Sequence, residues 1–358
     1  MLEEGAGGKE RIEAYLALNI ESSDRSNQRY LTGFDSSLGV TIVLQDRVIF
    51  LTDSRYSEAA EEGLTGAELE KIESRPLETA VELINGLGID SIAVDQNDLS
   101  LNHYNRLADG LEGVDIVQLD GELAGLRRKK EPDEIELQEE AALIADRAFS
   151  HLVDYAEPGM TERDVALELE FFMRDLGAED ISFPPIVAVG AKSALPHAKP
   201  GDQELKEGEN LLIDMGAKYQ GYCSDMTRTV YFGEPPEKFR EVYEVVLEAQ
   251  QAGLEELGPG VEGEYVHEKA ANVIESAGYG DRFGHGLGHG VGLDVHEGPR
   301  LSETSDDVLE PGMVVTVEPG IYIPEWGGIR IEDMVRVTED GYVSFSGSPK
   351  EEIINPLD

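Results

Sequence analysis

The 358-residue chain has a single cysteine, Cys223, so no internal disulfide can staple it. It has one tryptophan and no apolar run approaching the ~18 residues of a spanning helix, so no helical membrane anchor is expected. Basic residues are scarce: 29 Lys and Arg stand against 74 Asp and Glu, a formal net charge of −45. Such a surface repels phosphate, which argues against nucleic acid and anionic membrane as partners. The acid is spread along the chain rather than gathered in a tail. Self-repulsion on that scale fits adaptation to a salt-rich cytoplasm, the competing reading being an ordinary acidic enzyme. The opening MLEEGAGGKERIEAYL has neither a basic n-region nor an apolar core, so no signal peptide is expected and a cytoplasmic location follows.

What is present suffices for two domains with separate cores. Residues 1–127 read as a small α/β domain. TIVLQDRVIFLTD gives two strands turning at Asp46, with a helix from Ser54 to Gly63. SIAVDQ, SLNHYNRLADGL and VDIVQLDG then repeat strand, helix, strand, the pattern of a parallel or mixed sheet. No glycine-rich phosphate loop follows these strands, so no nucleotide is assigned. The boundary, LRRKKEPDE, ends one helix in basic residues and opens the next at Pro132 and Asp133, and is read as a linker. In residues 128–358, apolar residues recur at helical spacing from Asp133 to Glu157. Thr161 and Asp164 form an N-capping signal, and further helices are expected at about Pro236–Leu257 and Glu264–Ala277. Strands alternating with helices suggest one curved antiparallel sheet covered by helices.

The chemistry concentrates between Asp214 and Glu332. LLIDMGAKYQGYCSDMTRTVYF alternates apolar and polar residues on both sides of a polar centre, as paired strands do. A turn centred on Tyr219 and Gln220 puts Asp214 opposite Asp225, with Cβ atoms roughly 5 Å apart. Two carboxylates that close repel unless something compensates, and a bridging divalent cation does so. MVVTVEPGIYIPEWGGIRIEDMVRVT repeats the arrangement, and a loop centred on Glu325 puts Glu318 opposite Glu332. Alternation places Arg330 and Glu332 on one face and Ile329 and Ile331 on the other. Pro319 cannot donate a ladder hydrogen bond, so the strand is bulged or at an edge there. Between the hairpins, GHGLGHGVGLDVHEGP alternates glycine with larger residues, leaving one side bare for close approach of a backbone or substrate. His285 and His289 share the other side. His296 is out of phase, so the segment has to turn before it.

The ordered set Asp214, Asp225, His289, Glu318 and Glu332, carried in IDMGA, SDMTRT, GHGVG, VEPG and RIED, resembles the pita-bread metallopeptidases: methionine aminopeptidase, aminopeptidase P and prolidase. HGLGHGVGLDVHE, GIRIED and ALPHAKP, the last supplying His197, are most similar to the proline-directed branch. The resemblance implies a small N-terminal domain and a C-terminal pita-bread domain. It also implies two divalent ions, manganese first, with cobalt, zinc or iron also suited to carboxylate and imidazole ligands. Asp214 would chelate one ion, His289 and Glu318 the other, with Asp225 and Glu332 bridging. The implied reaction is hydrolysis of an Xaa-Pro peptide bond by a metal-activated hydroxide, Glu318 taking the proton. His197 and His296 would stabilise the tetrahedral intermediate or protonate the leaving proline nitrogen, and His285 and Arg330 would line the substrate site.

An Xaa-Pro dipeptidase is preferred for its single small N-terminal domain. The alternatives are an aminopeptidase P acting on longer peptides and a non-catalytic binding protein, although binding members of the fold typically lose metal ligands. Family habit implies a homodimer. NQRYLTGF, residues 27–34, resembles a segment that supports substrate access and dimer contact, or is an aromatic strand packed in the core. Thr227 and Thr316 are expected to hydrogen-bond the ligands, Trp326 to pack at the surface, and His103, His151 and His267 to be structural.

Overall fold

A computed structural model describes residues 12–20, 25–72 and 75–357. Most of the opening segment read above as lacking a signal peptide lies outside them. Two compact units divide the chain, Met1–Arg127 and Arg128–Asp358.

The first unit contains β1 (Ala14–Ile20), α1 (Arg25–Thr32), β2 (Leu38–Leu44), β3 (Val48–Thr52), α2 (Ser57–Gly63), β4 (Ala67–Lys71), α3 (Pro76–Leu87), β5 (Ser91–Asp95), α4 (Leu101–Gly110), β6 (Asp115–Leu119) and α5 (Glu122–Arg127). The strands form one mixed sheet in the order β4-β3-β2-β1-β5-β6, antiparallel within β1–β3 and parallel towards both edges. Central strand β1 is apolar on both faces. Leu16 and Leu18 join Val40, Ile42 and Ile92 on one side, while Tyr15 and Ala17 meet Ala93 and Leu119 on the other. Pro76 opens α3, where its missing N–H costs nothing, and Gly88 closes it in the left-handed region at φ 69°.

One expectation is overturned here. The strand alternative for residues 27–34 fails, because residues 27–32 lie in helix α1. The cause is a buried polar network that outweighs the strand preference of its aromatics. Gln28 accepts from Asn19 Nδ2 at 2.8 Å and donates to the Phe34 carbonyl at 3.0 Å, and Thr32 Oγ1 donates to the Gln28 carbonyl at 2.7 Å. The helix after β3 likewise starts at Ser57 rather than Ser54.

The second unit opens with α6 (Pro132–Tyr155) and α7 (Glu162–Asp175), followed by β7 (Asp180–Ile181), β8 (Ile186–Val189), β9 (Asn210–Met215), β10 (Ala217–Tyr219), β11 (Tyr222–Cys223) and β12 (Met226–Tyr231). Then come α8 (Glu237–Glu255), α9 (Gly263–Ser276), β13 (Gly288–Gly290), β14 (Glu297–Leu301), β15 (Val314–Val317), β16 (Gly320–Ile323), β17 (Gly327–Arg330), β18 (Asp333–Thr338) and β19 (Gly341–Ser344). Capping boxes start α6 at Glu131 and α7 at Thr161. On α7 the buried residues Val165, Leu169 and Met173 fall four apart, as do Val266, Ala270 and Ile274 on α9, the spacing of a single helix face. Helices α6 and α7 cover β8, β9 and β12, whereas α8 and α9 cover β15 to β18.

Every strand pair of this unit is antiparallel, and helices cover the sheet as expected. The strands are hydrogen-bonded in four separate sheets rather than in one unbroken sheet. Side-chain and backbone bonds bridge the gap between the two halves. Glu332 N–H donates to the Thr227 carbonyl at 3.1 Å, and Arg330 N–H to Thr229 Oγ1 at 3.2 Å. The acidic residues stand along this seam.

Candidate metal centre

In the first hairpin the turn sits one residue later than the sequence pattern placed it. Lys218 pairs with Cys223 and Tyr219 with Tyr222, so Gln220 and Gly221 form the two-residue turn at φ 44° and 88°. Such a turn needs positive φ at both centres, which glycine accepts and a tyrosine resists. The register therefore moves by two, and Asp214 faces Thr227 instead of Asp225. A shift of two keeps every side chain on its own face. Asp225 lies between β11 and β12, outside both strands. There Gly216 lets the chains close: a Cβ on it would lie 1.9 Å from the Ser224 carbonyl oxygen.

The second hairpin keeps the expected register. Gly320 pairs with Arg330 and Ile323 with Gly327 around Glu325, which takes φ 63°. On the far side of Pro319, Val317 pairs with Asp333 in the same register, which sets Glu318 across from Glu332. The ladder breaks at these two acids, as the missing N–H of Pro319 requires. Ile329 and Ile331 are fully buried in the apolar core, while Arg330 and Glu332 turn to the other face and meet at Thr227.

The glycine alternation in β13 serves backbone approach. A Cβ on Gly288 would sit 2.0 Å from the Thr316 carbonyl oxygen, and one on Gly290 2.1 Å from that of Gly298. The strand is thereby wedged between β14 and β15. His289 Nδ1–H donates to the Gly290 carbonyl at 3.1 Å, which leaves the Nε2 lone pair facing Glu318 Oε1 at 3.4 Å and Asp225 Oδ2 at 3.7 Å. Donor atoms of Asp225, His289 and Glu332 all lie within 4.8 Å of one another.

Electrostatically these buried acids are costly to ionise together, even with Arg330 beside them. Burial pushes Asp225 and Glu332 well above the usual carboxylate range, and their acidic neighbours add to the shift. Burial raises Glu318 to about 7. Asp214 is raised too, because burial outweighs the attraction of Arg330, whose Nη2 donates to its Oδ2 at 2.5 Å. Asp214 Oδ1 is buried without a hydrogen-bond partner among the described residues. Burial holds His289 down at about 4, so its imidazole is neutral and able to ligate. Hard carboxylate oxygens, one neutral imidazole and an orphaned carboxylate oxygen are the donor set a divalent ion takes.

Around the acids, two threonines fix orientation. Thr227 Oγ1 donates to Glu332 Oε2 at 2.6 Å and accepts from Arg330 Nε at 2.9 Å, while Thr316 Oγ1 accepts from the His289 N–H and donates to Glu318 Oε1. Arg330 Nη1 also donates to the Tyr322 hydroxyl at 3.0 Å. That hydroxyl donates in turn to His285 Nε2 at 3.0 Å, since His285 Nδ1–H is given to the Gly286 carbonyl. Burial lowers His285 to about 4. Sequence reasoning missed Tyr322. The available signal was Gly320, two residues before it, and Gly328, its partner across the hairpin: a Cβ at Gly320 would strike its hydroxyl, and one at Gly328 its ring.

His197 and His296 are exposed. The His296 ring lies 4.4 Å from that of His289, and the segment turns between β13 and β14 to bring it there. Trp326 packs near Phe239 beneath Lys238. His151 stacks on Phe172 and meets Glu168 at 2.7 Å, far from any acidic cluster member in sequence. His267 stacks on Phe283, which abuts His285.

Residues 136–339 match metallopeptidase family M24, and residues 17–129 match the creatinase/prolidase N-terminal domain. The chain belongs to the M24 metallopeptidases. The uncharacterized peptidase YqhT of Bacillus subtilis is 42% identical over 93% of this chain and 94% of its own. An Xaa-Pro dipeptidase of Pyrococcus furiosus is 37% identical over 96% of this chain and 99% of its own. The crystal structure of an X-Pro aminopeptidase from Thermotoga maritima, 38% identical, superposes with a TM-score of 0.91 over 95% of this chain and 97% of that one. Family membership implies a hydrolase that uses divalent metal ions. Among the described residues no helix is long and apolar enough to cross a membrane.

Proposed function

We propose that this M24 enzyme is an Xaa-Pro dipeptidase with two divalent ions, manganese first among the candidates, held by Asp214, Asp225, His289, Glu318 and Glu332. The observation that carries the reading is the Asp225–His289–Glu332 cluster, whose two buried carboxylates are driven towards protonation unless a cation joins them. When bound, the ions supply Lewis acidity and lower the pKa of water. Glu318, raised to about 7 and oriented by Thr316, takes up and returns a proton near neutral pH, as a general base must. His296, beside His289, and His197 stand on the solvent side, where they stabilise the tetrahedral intermediate or deliver a proton to the departing proline nitrogen. A tertiary amide nitrogen has to be protonated to leave, and its proton is the one Glu318 took up, returned directly or by way of one of these histidines. Arg330, Tyr322 and His285 form one hydrogen-bonded wall beside Asp214 for the proline residue.

The dipeptidase of Pyrococcus and the aminopeptidase of Thermotoga are about equally similar to the chain, so the length of the substrate has to be measured. With manganese and molar KCl present, a dipeptidase cleaves an Xaa-Pro dipeptide and leaves an Xaa-Pro-Yaa tripeptide. Tripeptide cleavage replaces this reading with aminopeptidase P, and cleavage of neither points to a binding protein. A homodimer in a salt-rich cytoplasm completes the proposal. The net charge of −45 supports the salt, and a melting temperature that fails to rise from dilute buffer to molar KCl removes it.

A further inference from the structure

The two exposed histidines ride on loops, and each loop is staked by a lysine–glutamate pair whose carboxylate is buried. Glu162, at the first turn of α7, has a fully buried side chain. Its Oε1 accepts the Val189 N–H at 3.0 Å, and its Oε2 accepts both Lys192 Nζ and the Gly201 N–H, the latter at 2.9 Å. Lys192 also donates to the Lys199 carbonyl at 2.7 Å. These bonds close both ends of the 190–201 segment around His197, and the Pro196 carbonyl within it comes to 3.5 Å from Arg330 Nη1.

The second pair explains the basic run at the domain boundary. Arg128 pairs with Asp307 at 2.6 Å, while Lys130 is drawn inside, its side chain 1% exposed, to meet Glu297, 6% exposed, at 3.2 Å. Glu297 follows His296 directly, and its Oε1 accepts the Asp294 N–H at 3.0 Å. The carboxylate fills the space a Cβ on Gly292 would take. The same turn is held from α6 by Gln138, which donates to the Val291 carbonyl at 3.0 Å, and from β11 by the Cys223 N–H, which reaches the Gly292 carbonyl at 2.8 Å. A buried ion pair is a weak source of stability, because desolvation offsets the attraction, and its better-attested use is to fix one geometry. Here both pairs fix the backbone on either side of an exposed histidine.

We propose that Glu162–Lys192 and Lys130–Glu297 are two independent mounts, and that Glu162 and Lys130 are positioning residues for His197 and His296 respectively. The role of the histidines in proton delivery rests on the peptidase reading; the mounting itself does not. The test is NMR of the ring Cε1–H signals of metal-free protein carrying 13C-labelled histidine, with His197→Gln and His296→Gln used for assignment. Glu162→Gln keeps one oxygen acceptor, as an amide carbonyl, and replaces the other with an NH2 donor, removing the charge that holds Lys192. It should move or broaden the His197 signal and leave that of His296, while Lys130→Met should do the reverse, with His103 unchanged in both. If Lys130→Met strands the Glu297 charge and fails to fold, Lys130→Met/Glu297→Gln removes both charges and carries the same expectation. In the metal-loaded enzyme each variant should lose about 10- to 100-fold in kcat on an Xaa-Pro dipeptide. KM should stay within about threefold. Signals that stay put, or that move together in every variant, overturn the proposal even if peptide hydrolysis is normal. Separate movement of the two signals upholds it even if no peptide is cleaved, in which case the peptidase reading alone falls.

Discussion

The two hairpins of the second unit carry two carboxylates each, but by different means. In the first, Asp214 stands inside β9, in register with Thr227, and takes its counter-charge from Arg330 of the second hairpin. Asp225, Glu318 and Glu332 all stand outside strands, at places where the ladders are interrupted. An interruption in a ladder re-aims side chains that a regular pleat would hold apart, which is why irregular strand positions collect at active sites. The in-strand acid is the one with an arginine, and those at the breaks are left to repel one another. The broken ladder makes the site and the intact one orients it.

The sharpest way to break that contrast is to remove an acid at a ladder break. Asp225→Ala and Glu332→Ala should each abolish metal binding and lower peptide hydrolysis on the order of 10³-fold. Metal content by elemental analysis and turnover on the same preparation check this, alongside a circular dichroism spectrum that should not change. Full turnover in either variant ends the two-ion proposal.

Glu318 allows a test with a sign. Its pKa is raised from 4.5 to about 7 in the folded metal-free protein. Folding is therefore favoured by its protonation below about pH 4.5, and that contribution is lost as pH rises through about 7. Glu318→Gln removes the loss, so the metal-free variant should exceed metal-free wild type at pH 8 by up to about 3 kcal/mol. The gain should vanish near pH 4.5 and reverse when metal is added. Denaturant melts at the two pH values, with and without manganese, measure it; a variant less stable than wild type at pH 8 without metal contradicts the cost of burying this carboxylate in its charged form.

Thr227 joins the two hairpins through one hydroxyl. In Thr227→Val, Glu332 Oε2 loses its donor and Arg330 Nε its acceptor at a fully buried position. The expected cost is about 1–3 kcal/mol in stability. Metal affinity should weaken by about 10- to 100-fold. Calorimetric titration of metal into the apoprotein checks the affinity, and unchanged affinity would mean that the acids hold their places without the intact strand pair.

Much of this was legible in the sequence because hairpin alternation and turn residues act locally. PEWGG fixed the second loop at Glu325, and the register through Val317 and Asp333 followed from it. The first hairpin was misread by one turn position, since Tyr219 and Gln220 look as polar and central as Gln220 and Gly221 until the demand for positive φ is imposed. Helix α1 was hidden for another reason. Asn27, Gln28 and Thr32 are buried through partners as remote as Asn19 and Arg127, and local propensity carries no trace of them. Tyr322 escaped because its importance lies in two partners, His285 and Arg330, that come together only in the fold. The basic run at 127–130 read as linker charge for the same reason: Glu297, which buries Lys130, is 167 positions away.

The smallest expected effect bears on how far the first hairpin's turn governs its acid. Gln220 holds φ at 44°, a region that costs an ordinary side chain about 1–2 kcal/mol and that asparagine enters more readily. Gln220→Asn should therefore stabilise the chain by about 0.5–1 kcal/mol. In a unit of this size that is a rise of roughly 1–3 °C in melting temperature. Between this turn and Asp225 lie the short β10–β11 ladder and the gap at Gly216, so the strain relieved at the tip should not reach the site. Melting temperature should rise with kcat, KM and metal affinity unchanged. A change in metal affinity would mean that the turn and the acid move as one body across the gap, and that the ladder break at Asp225 is as stiff as the strand that carries Asp214.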